Sequence, residues 1–252
     1  MSKKLATIIL AAGKGKRMKN PEKSKVMFEL DGKPMIGYVI DLALSINSDL
    51  VIPIVGHQKQ TVINYVNDSF PGDLDKITFA HQDQQLGTGH AVMQTKEILN
   101  DFDGNVLILS GDVPLLSVET LQQFIDFHEL GNYRASLISA ILDEPTGYGR
   151  VIRDENIDFS HIVEDKDATD EELRINEINS GIYLMDAKEM FEALETVNTE
   201  NAQGEYYLTD VFKFFSGKNM KIGADPVYNQ YEITGVNTIE QLEELEEIKK
   251  SL

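Results

Sequence analysis

The stretch that decides the fold is Leu-Ala-Ala-Gly-Lys-Gly-Lys-Arg-Met-Lys-Asn-Pro-Glu-Lys-Ser-Lys, residues 10 to 25. An apolar strand over residues 6–10 stops abruptly at Leu10, and Gly13 and Gly15 follow one residue apart. Neither glycine carries a Cβ, so the backbone can turn tightly there and bring its N–H groups close to whatever lies above the strand end. Such a loop is a cradle for anions. Of the chain's 23 Lys and Arg, nine fall in the first 33 residues, beside only three of its 42 acids. A cationic segment in a protein of net charge −19 is suited to a polyphosphate. A solvated basic loop is the plainer alternative. The Walker spacing of four residues between glycines followed by Lys-Ser/Thr is absent, and the dinucleotide fingerprint lacks its third glycine, where Met18 stands.

Outward from this loop, apolar and polar segments alternate. Residues 33–45 carry Met35, Ile36, Val39, Ile40, Ala43 and Leu44 at helical spacing, and 50–55 reads as a second buried strand. A helix over 61–66, a strand over 77–81, a helix over 91–99 and a strand over 106–110 continue the pattern. The alternation predicts an α/β, Rossmann-like, mostly parallel mixed sheet flanked by helices, with working residues beyond the strands' C-terminal ends. From residue 135 the pattern changes. Strands over 135–142, 150–153, 159–163 and 178–185, with a charged stretch at 164–177, predict antiparallel additions that form a subdomain rather than an independent domain. Residues 238–252 read as an amphipathic helix whose Glu-rich face is solvated and whose Lys249 and Lys250 suit the helix dipole.

Composition excludes several classes. At 252 residues and 42% hydrophobic content the chain can bury a large core. No apolar run approaches a membrane span, and the first residues lack a signal-peptide core, so a cytoplasmic location with no membrane partner is expected. The absence of cysteine removes disulfides, thiolate nucleophiles and Cys metal sites. The acidic balance argues against general nucleic-acid binding.

Three further constellations carry chemistry. The segment 82–90, Gln-Asp-Gln-Gln-Leu-Gly-Thr-Gly-His, sits between a strand and a helix; its amides can read a flat base edge, or Thr88 can simply cap the helix. His90 near a helix start is read as a structural hydrogen-bonding group. Asp112, in Ser-Gly-Asp-Val-Pro at the end of the strand 106–110, suits a hard divalent ion or a helix cap. Asn237, in Thr-Gly-Val-Asn ahead of the last helix, is by itself a good N-cap.

Residues 10–18 closely resemble the Leu-Ala-Ala-Gly-x-Gly-Thr-Arg-Met signature of the sugar-nucleotide pyrophosphorylases, with Lys16 in place of Thr and Ser24 in place of the Pro before Lys25. Gln-Leu-Gly-Thr-Gly-His-Ala at 85–91 is similar to an element of the bacterial N-acetylglucosamine-1-phosphate uridyltransferases. Residues 145–150, 163–170 with 177–181, and 201–210 match the same group in order, and Ser110 stands where the family usually has an aromatic residue. The resemblance implies the nucleotide-diphospho-sugar transferase fold, with a pyrophosphorylase domain at 1–237, its sugar-binding part at 135–210, and the C-terminal helix at 238–252. It implies Arg17 and Lys25 as catalytic cations. Leu10, Ala11, Ala12, Gly13, Gln82, Gly87 and Thr88 would bind the nucleotide; Gly149, Glu164 and Asn179 the sugar; Asp112 and Asn237 a Mg²⁺ ion. The activity implied is uridylyl transfer from UTP to N-acetylglucosamine 1-phosphate, giving pyrophosphate and UDP-N-acetylglucosamine, a peptidoglycan precursor. The same chemistry on glucose 1-phosphate or N-acetylgalactosamine 1-phosphate, or a silent nucleotide-sugar-binding module, are the alternatives. Bifunctional relatives carry an acetyl-transferring hexapeptide-repeat domain, which these residues lack, so acetyl transfer is not expected; the chain is either a stand-alone enzyme or part of a longer one, and its oligomeric state is open.

Overall fold

The structure is a computed structural model that describes residues 3–251; Met1, Ser2 and Leu252 of the expected boundaries, and the side chains of Lys16 and Ser251, lie outside the described residues. In chain order the elements are β1 (Lys4–Ala11), β2 (Glu29–Leu30), β3 (Lys33–Pro34), α1 (Met35–Ser45), β4 (Leu50–Val55), α2 (Lys59–Ser69), β5 (Ala80–His81), α3 (Thr88–Met93) and β6 (Gly104–Ser110). There follow α4 (Val118–Leu130), β7 (Ala135–Ile141), β8 (Arg150–Arg153), β9 (Phe159–Val163), β10 (Glu177–Asp186), α5 (Ala187–Leu194), α6 (Val211–Gly217), β11 (Ile222–Val227) and α7 (Ile239–Ser251).

The main sheet has the order β11-β7-β10-β6-β1-β4-β5, with the β8–β9 hairpin attached to β10. β1 is parallel to both β4 and β6, so the chain leaves β1 in one direction across the sheet and later returns to its other side. The C-terminal ends of β1 and β6 are therefore a topological switch point, the place where open α/β sheets bind ligands. Strand alternation sends successive side chains to opposite faces. Ala6, Ile8, Val106 and Ile108 face a core closed by α3, α5 and α6, through Val92, Met190 and Phe212. Ile9, Ala11, Leu107 and Leu109 face a second core closed by α1, α2 and α4, through Ile40, Val66 and Phe124. Burial on both faces is why these strands read as continuous apolar runs.

A third, smaller cluster joins Met18, Leu30 and Met35 to Val236, Leu242 and Leu245, so α7 packs beside the loop that follows β1. Leu242 and Leu245 supply its buried stripe, and its acidic residues are half-buried or exposed. Among the described residues no helix is long and apolar enough to cross a membrane.

Several expectations need correction. β7 is not an antiparallel addition: it pairs antiparallel with β10, which is itself antiparallel to β6, so β7 has the same sense as β6. The reason is α4, a helix the sequence reading left unassigned, which supplies the crossover that parallel strands require. The antiparallel character lies in β10 and the β8–β9 hairpin. The strand expected at 77–81 shrinks to Ala80–His81, with Ile77 making one isolated bridge to Val51. The helix expected at 91–99 is Thr88–Met93. Beyond it the hydrogen bonds of Thr95 and Lys96 reach back only three residues, and the Thr95 hydroxyl takes the Val92 carbonyl at 2.7 Å. That tightening ends a regular helix. The helix expected from residue 33 starts at Met35, because residues 30–33 form a hairpin turn with positive φ at Asp31 (53°) and Gly32 (76°), the Asp-Gly preference of such turns.

Candidate active site

Where β1 ends, Leu10, Ala11, Ala12 and Gly13 form one wall of a cleft of about 550 Å³. Only one of the two loop glycines is demanded by the backbone. Gly15 has φ +55°, and a Cβ there would lie 2.7 Å from the Lys25 Cβ, so the loop could not lie against Lys25 with any other residue. A Cβ at Gly13 meets no protein atom within 4 Å; that position leaves room in the cleft instead of permitting the turn. A 3₁₀ turn over Lys16–Met18 then buries Met18 in the α7 cluster and leaves Arg17 exposed toward the cleft. A second 3₁₀ turn, Lys25–Met27, buries Val26 and Met27 and points Lys25 the same way. Ser24, which stands where the resemblance places a proline, has φ −59°, a value proline itself adopts. Its buried hydroxyl has no hydrogen-bond partner.

The positions expected to hold a metal meet these cations directly. Asp112, carried past the end of β6, forms an ion pair with the Lys25 ammonium. The Asn237 Oδ1 accepts from Lys25 Nζ at 2.8 Å and from Arg17 Nη2 at 2.8 Å. Opposite charge brings the side chains of these separate loops together. Main-chain bonds fix the two loops, from Gly111 N–H to the Leu10 carbonyl (3.0 Å) and from Val236 N–H to the Asp112 carbonyl (3.0 Å). Asn237 is not the helix cap that its type suggested. Thr238 caps α7, its Oγ1 accepting from Gln241 N–H at 3.2 Å.

Gln82, Gly87 and Thr88 line the same cleft. Gln82 is only 3% exposed, and its side-chain NH₂ donates to the Gly87 carbonyl at 3.0 Å and contacts His90 Nδ1 at 3.1 Å. His90 is thereby a structural hydrogen-bonding group. Gly87 has φ +118° and lies so close to the Tyr206 backbone that a Cβ would sit 2.7 Å from its nitrogen. Thr88 does not cap α3: its hydroxyl accepts from Leu208 N–H at 3.1 Å and ties the base-side loop to the stretch 201–210.

Gly149, Glu164 and Asn179 come together away from that cleft's lining. Asn179 N–H donates to the Gly149 carbonyl at 2.9 Å, and Glu164 Oε2 lies 3.5 Å from where a Gly149 Cβ would be. Asn179 sits at a bulge of β10 beside Gly181, its Nδ2 donating to the Tyr183 hydroxyl at 2.8 Å. Glu164 lines a second cavity of about 370 Å³ with Tyr207, Thr209 and Asp210, and accepts from the Thr209 hydroxyl at 2.8 Å. Burial raises its carboxyl pKa, the Thr209 bond opposes this, and Asp167, Asp210 and Asp165 add to the rise.

Sequence reasoning missed Thr209, Glu205 and Tyr148. Glu205 and Ser110 line the main cleft. The Tyr148 phenol has its pKa raised by burial and then by the charge of Asp112, with the Gly235 backbone opposing the rise. Each lies inside a stretch already singled out, and the available signal was a polar or aromatic side chain within such a stretch. Among the described residues no three His, Cys, Asp or Glu side chains cluster as a metal site would. Asp112 and Asn237 would offer an ion a pair of hard oxygen donors, which fits a cation completing its shell with phosphate and water.

Comparison with known proteins shows the family. The bifunctional protein GlmU of Thermoanaerobacter pseudethanolicus is 46% identical over 246 residues, 98% of this chain and 52% of its own length. GlmU of Clostridium novyi is 44% identical over 243 residues, 96% of this chain and 52% of its own. The chain thus spans about half the length of the curated relatives it matches. Among solved structures, UDP-glucose pyrophosphorylase complexed with UDP-glucose superposes with a TM-score of 0.80 at 17% identity, covering 100% of this chain and 99% of that one, which shows a shared fold. Residues 6–223 match the nucleotidyl transferase family, and with that match over most of its length the chain belongs to this family of enzymes.

Proposed function

We propose that the chain transfers a uridylyl group from UTP to N-acetylglucosamine 1-phosphate, releasing pyrophosphate. The observation that carries this is the meeting of Arg17, Lys25, Asp112 and Asn237 at the switch point beside the glycine loop. In the reaction an oxygen of the sugar phosphate forms a bond to the α-phosphorus of UTP as the bond to the bridging oxygen of pyrophosphate breaks. The nucleophile is already ionised at neutral pH, so no general base is needed. Positioning and charge neutralisation do the work.

Lys25 and Arg17 exchange their contacts with Asn237 and Asp112 for phosphate oxygens, Arg17 holding the leaving pyrophosphate and Lys25 the phosphates under attack. A divalent ion, Mg²⁺ in this reading, would be held by Asp112 and Asn237 and would neutralise phosphate charge. Gln82, with its NH₂ engaged, offers Oε1 to the N–H of a uracil edge, and Gly87 and Thr88 bring backbone and hydroxyl alongside. Glu164, Asn179 and the Gly149 backbone serve the sugar, which assigns residues 135–210 to its recognition within a domain spanning 1–237.

Incubation of the purified protein with UTP, N-acetylglucosamine 1-phosphate and Mg²⁺ is expected to release pyrophosphate and yield a nucleotide product with the mass of UDP-N-acetylglucosamine. Stronger turnover with glucose 1-phosphate or N-acetylgalactosamine 1-phosphate overturns the choice of sugar. No pyrophosphate with any sugar 1-phosphate overturns the reaction.

A further inference from the structure

We propose that Gln241 is a positioning residue that holds Asn237 in the cleft from a point inside the C-terminal helix. The inference rests on the nucleotidyl-transfer reading of the cleft. Asn237 and Thr238 both precede α7, and asparagine is among the strongest N-cap residues. An Asn237 that capped the helix would turn its Oδ1 onto the helix N–H groups and away from Arg17 and Lys25.

The helix is arranged so that this does not happen. Thr238 Oγ1 accepts from Gln241 N–H at 3.2 Å, and Gln241 Oε1 accepts in return from Thr238 N–H at 3.2 Å, a reciprocal capping box. The same Oε1 reaches one residue further and accepts from Asn237 N–H at 2.7 Å, the shortest of the three. With its main chain held and the cap position filled, the Asn237 carboxamide is free to face the cleft. There Oδ1 accepts from both cations and Nδ2 donates to the Gly235 carbonyl at 3.3 Å. Gln241 itself does not line the cleft. The helix that carries it is seated through Leu242 and Leu245 on Met18, the neighbour of Arg17. One short helix thereby sets the relative position of two cleft residues that are 220 positions apart.

Three variants test this: Gln241→Ala, Gln241→Glu and Thr238→Val. Each is assayed for Mg²⁺ half-saturation and kcat of uridylyl transfer, thermal midpoint, and hydrogen exchange of the Asn237 amide in the unliganded protein. Gln241→Ala is expected to raise the Mg²⁺ half-saturation by about tenfold or more, the scale for losing a partner that orients a ligand, and to speed Asn237 exchange. Gln241→Glu keeps an acceptor for the same N–H groups and is expected to restore both. Thr238→Val removes only the cap oxygen, so it is expected to lower the thermal midpoint without moving the Mg²⁺ half-saturation. Unchanged Asn237 exchange in Gln241→Ala overturns the proposal, and so does a Thr238→Val shift in Mg²⁺ half-saturation equal to that of Gln241→Ala. A wild-type protein that makes no product overturns the reading of the cleft, and the exchange measurement then still decides the role of Gln241.

Discussion

The two ends of the central sheet are built from the same kinds of side chain and use them differently. At the end formed by the start of β6 and the close of β10, cations and carboxylates are matched. Lys3 meets Asp186 at 3.2 Å, and Arg134 holds Glu189 through both oxygens, Nε to Oε2 at 2.7 Å. His128 is buried beside them, its Nδ1 2.8 Å from the Ser136 hydroxyl. At the opposite end, two cations converge on a single amide oxygen, and the nearest carboxylate, Asp112, pairs with one of them. Matched pairs leave nothing for a ligand to gain. Convergent cations beside an open cleft keep a positive field that an incoming polyphosphate can take up.

Four perturbations sharpen or break this contrast. The largest effect is expected from Lys25→Ala, with turnover falling by about 10²–10³, the loss of one preorganised charge donor, and a lowered thermal midpoint, since its ion pair with Asp112 is mostly buried. Steady-state kinetics beside a melting curve measure both, and near wild-type turnover contradicts the assignment of Lys25. The next concerns His128. Burial holds its pKa down at about 4, with the charges of Lys3 and Arg134 acting in the same direction. The folded value lies below the unfolded one, so the unfolded chain binds the proton more tightly. Stability from the neutral imidazole is complete above about pH 6.5 and is lost as pH falls toward 4, by about 3 kcal/mol in all. His128→Gln is expected to flatten urea midpoints across that window; an unchanged acid slope contradicts it.

Smaller effects follow. Arg134→Met is expected to cost about 1 kcal/mol of stability, since the arginine is partly exposed, and to leave kcat and KM unaltered. A loss of turnover there erases the distinction between the two ends. Ser24→Pro is expected to stabilise by roughly 0.4–1 kcal/mol, because the native φ of −59° already suits proline and a buried unpaired hydroxyl is removed. A lower thermal midpoint in that variant means that the loop path depends on the serine.

Much of the fold was legible because it follows from local spacing. The strand 50–55 was read with its true ends, and β1, β6 and α1 to within two residues at either end, since continuous or helically spaced apolar runs reflect burial directly. The ends of α3 and β5 were not legible, because they depend on Thr95 taking a backbone carbonyl and on which residues of 77–81 find a partner strand. The sense of β7 was hidden for a related reason: it depends on α4 and on the reversed strand β10, which arrives some forty residues later.

The division is plainest at the cleft. The residues themselves announced the glycine loop, the local excess of positive charge and the polar stretches at strand ends, because those are properties of adjacent positions. Only the folded chain decided that Asn237 faces Arg17 while Thr238 caps the helix, that Thr88 binds Leu208 rather than its own helix, and that Lys25 closes on Asp112. A side chain with several satisfactory hydrogen-bond partners takes the one that long-range packing brings within reach, and spacing along the chain carries no record of that choice.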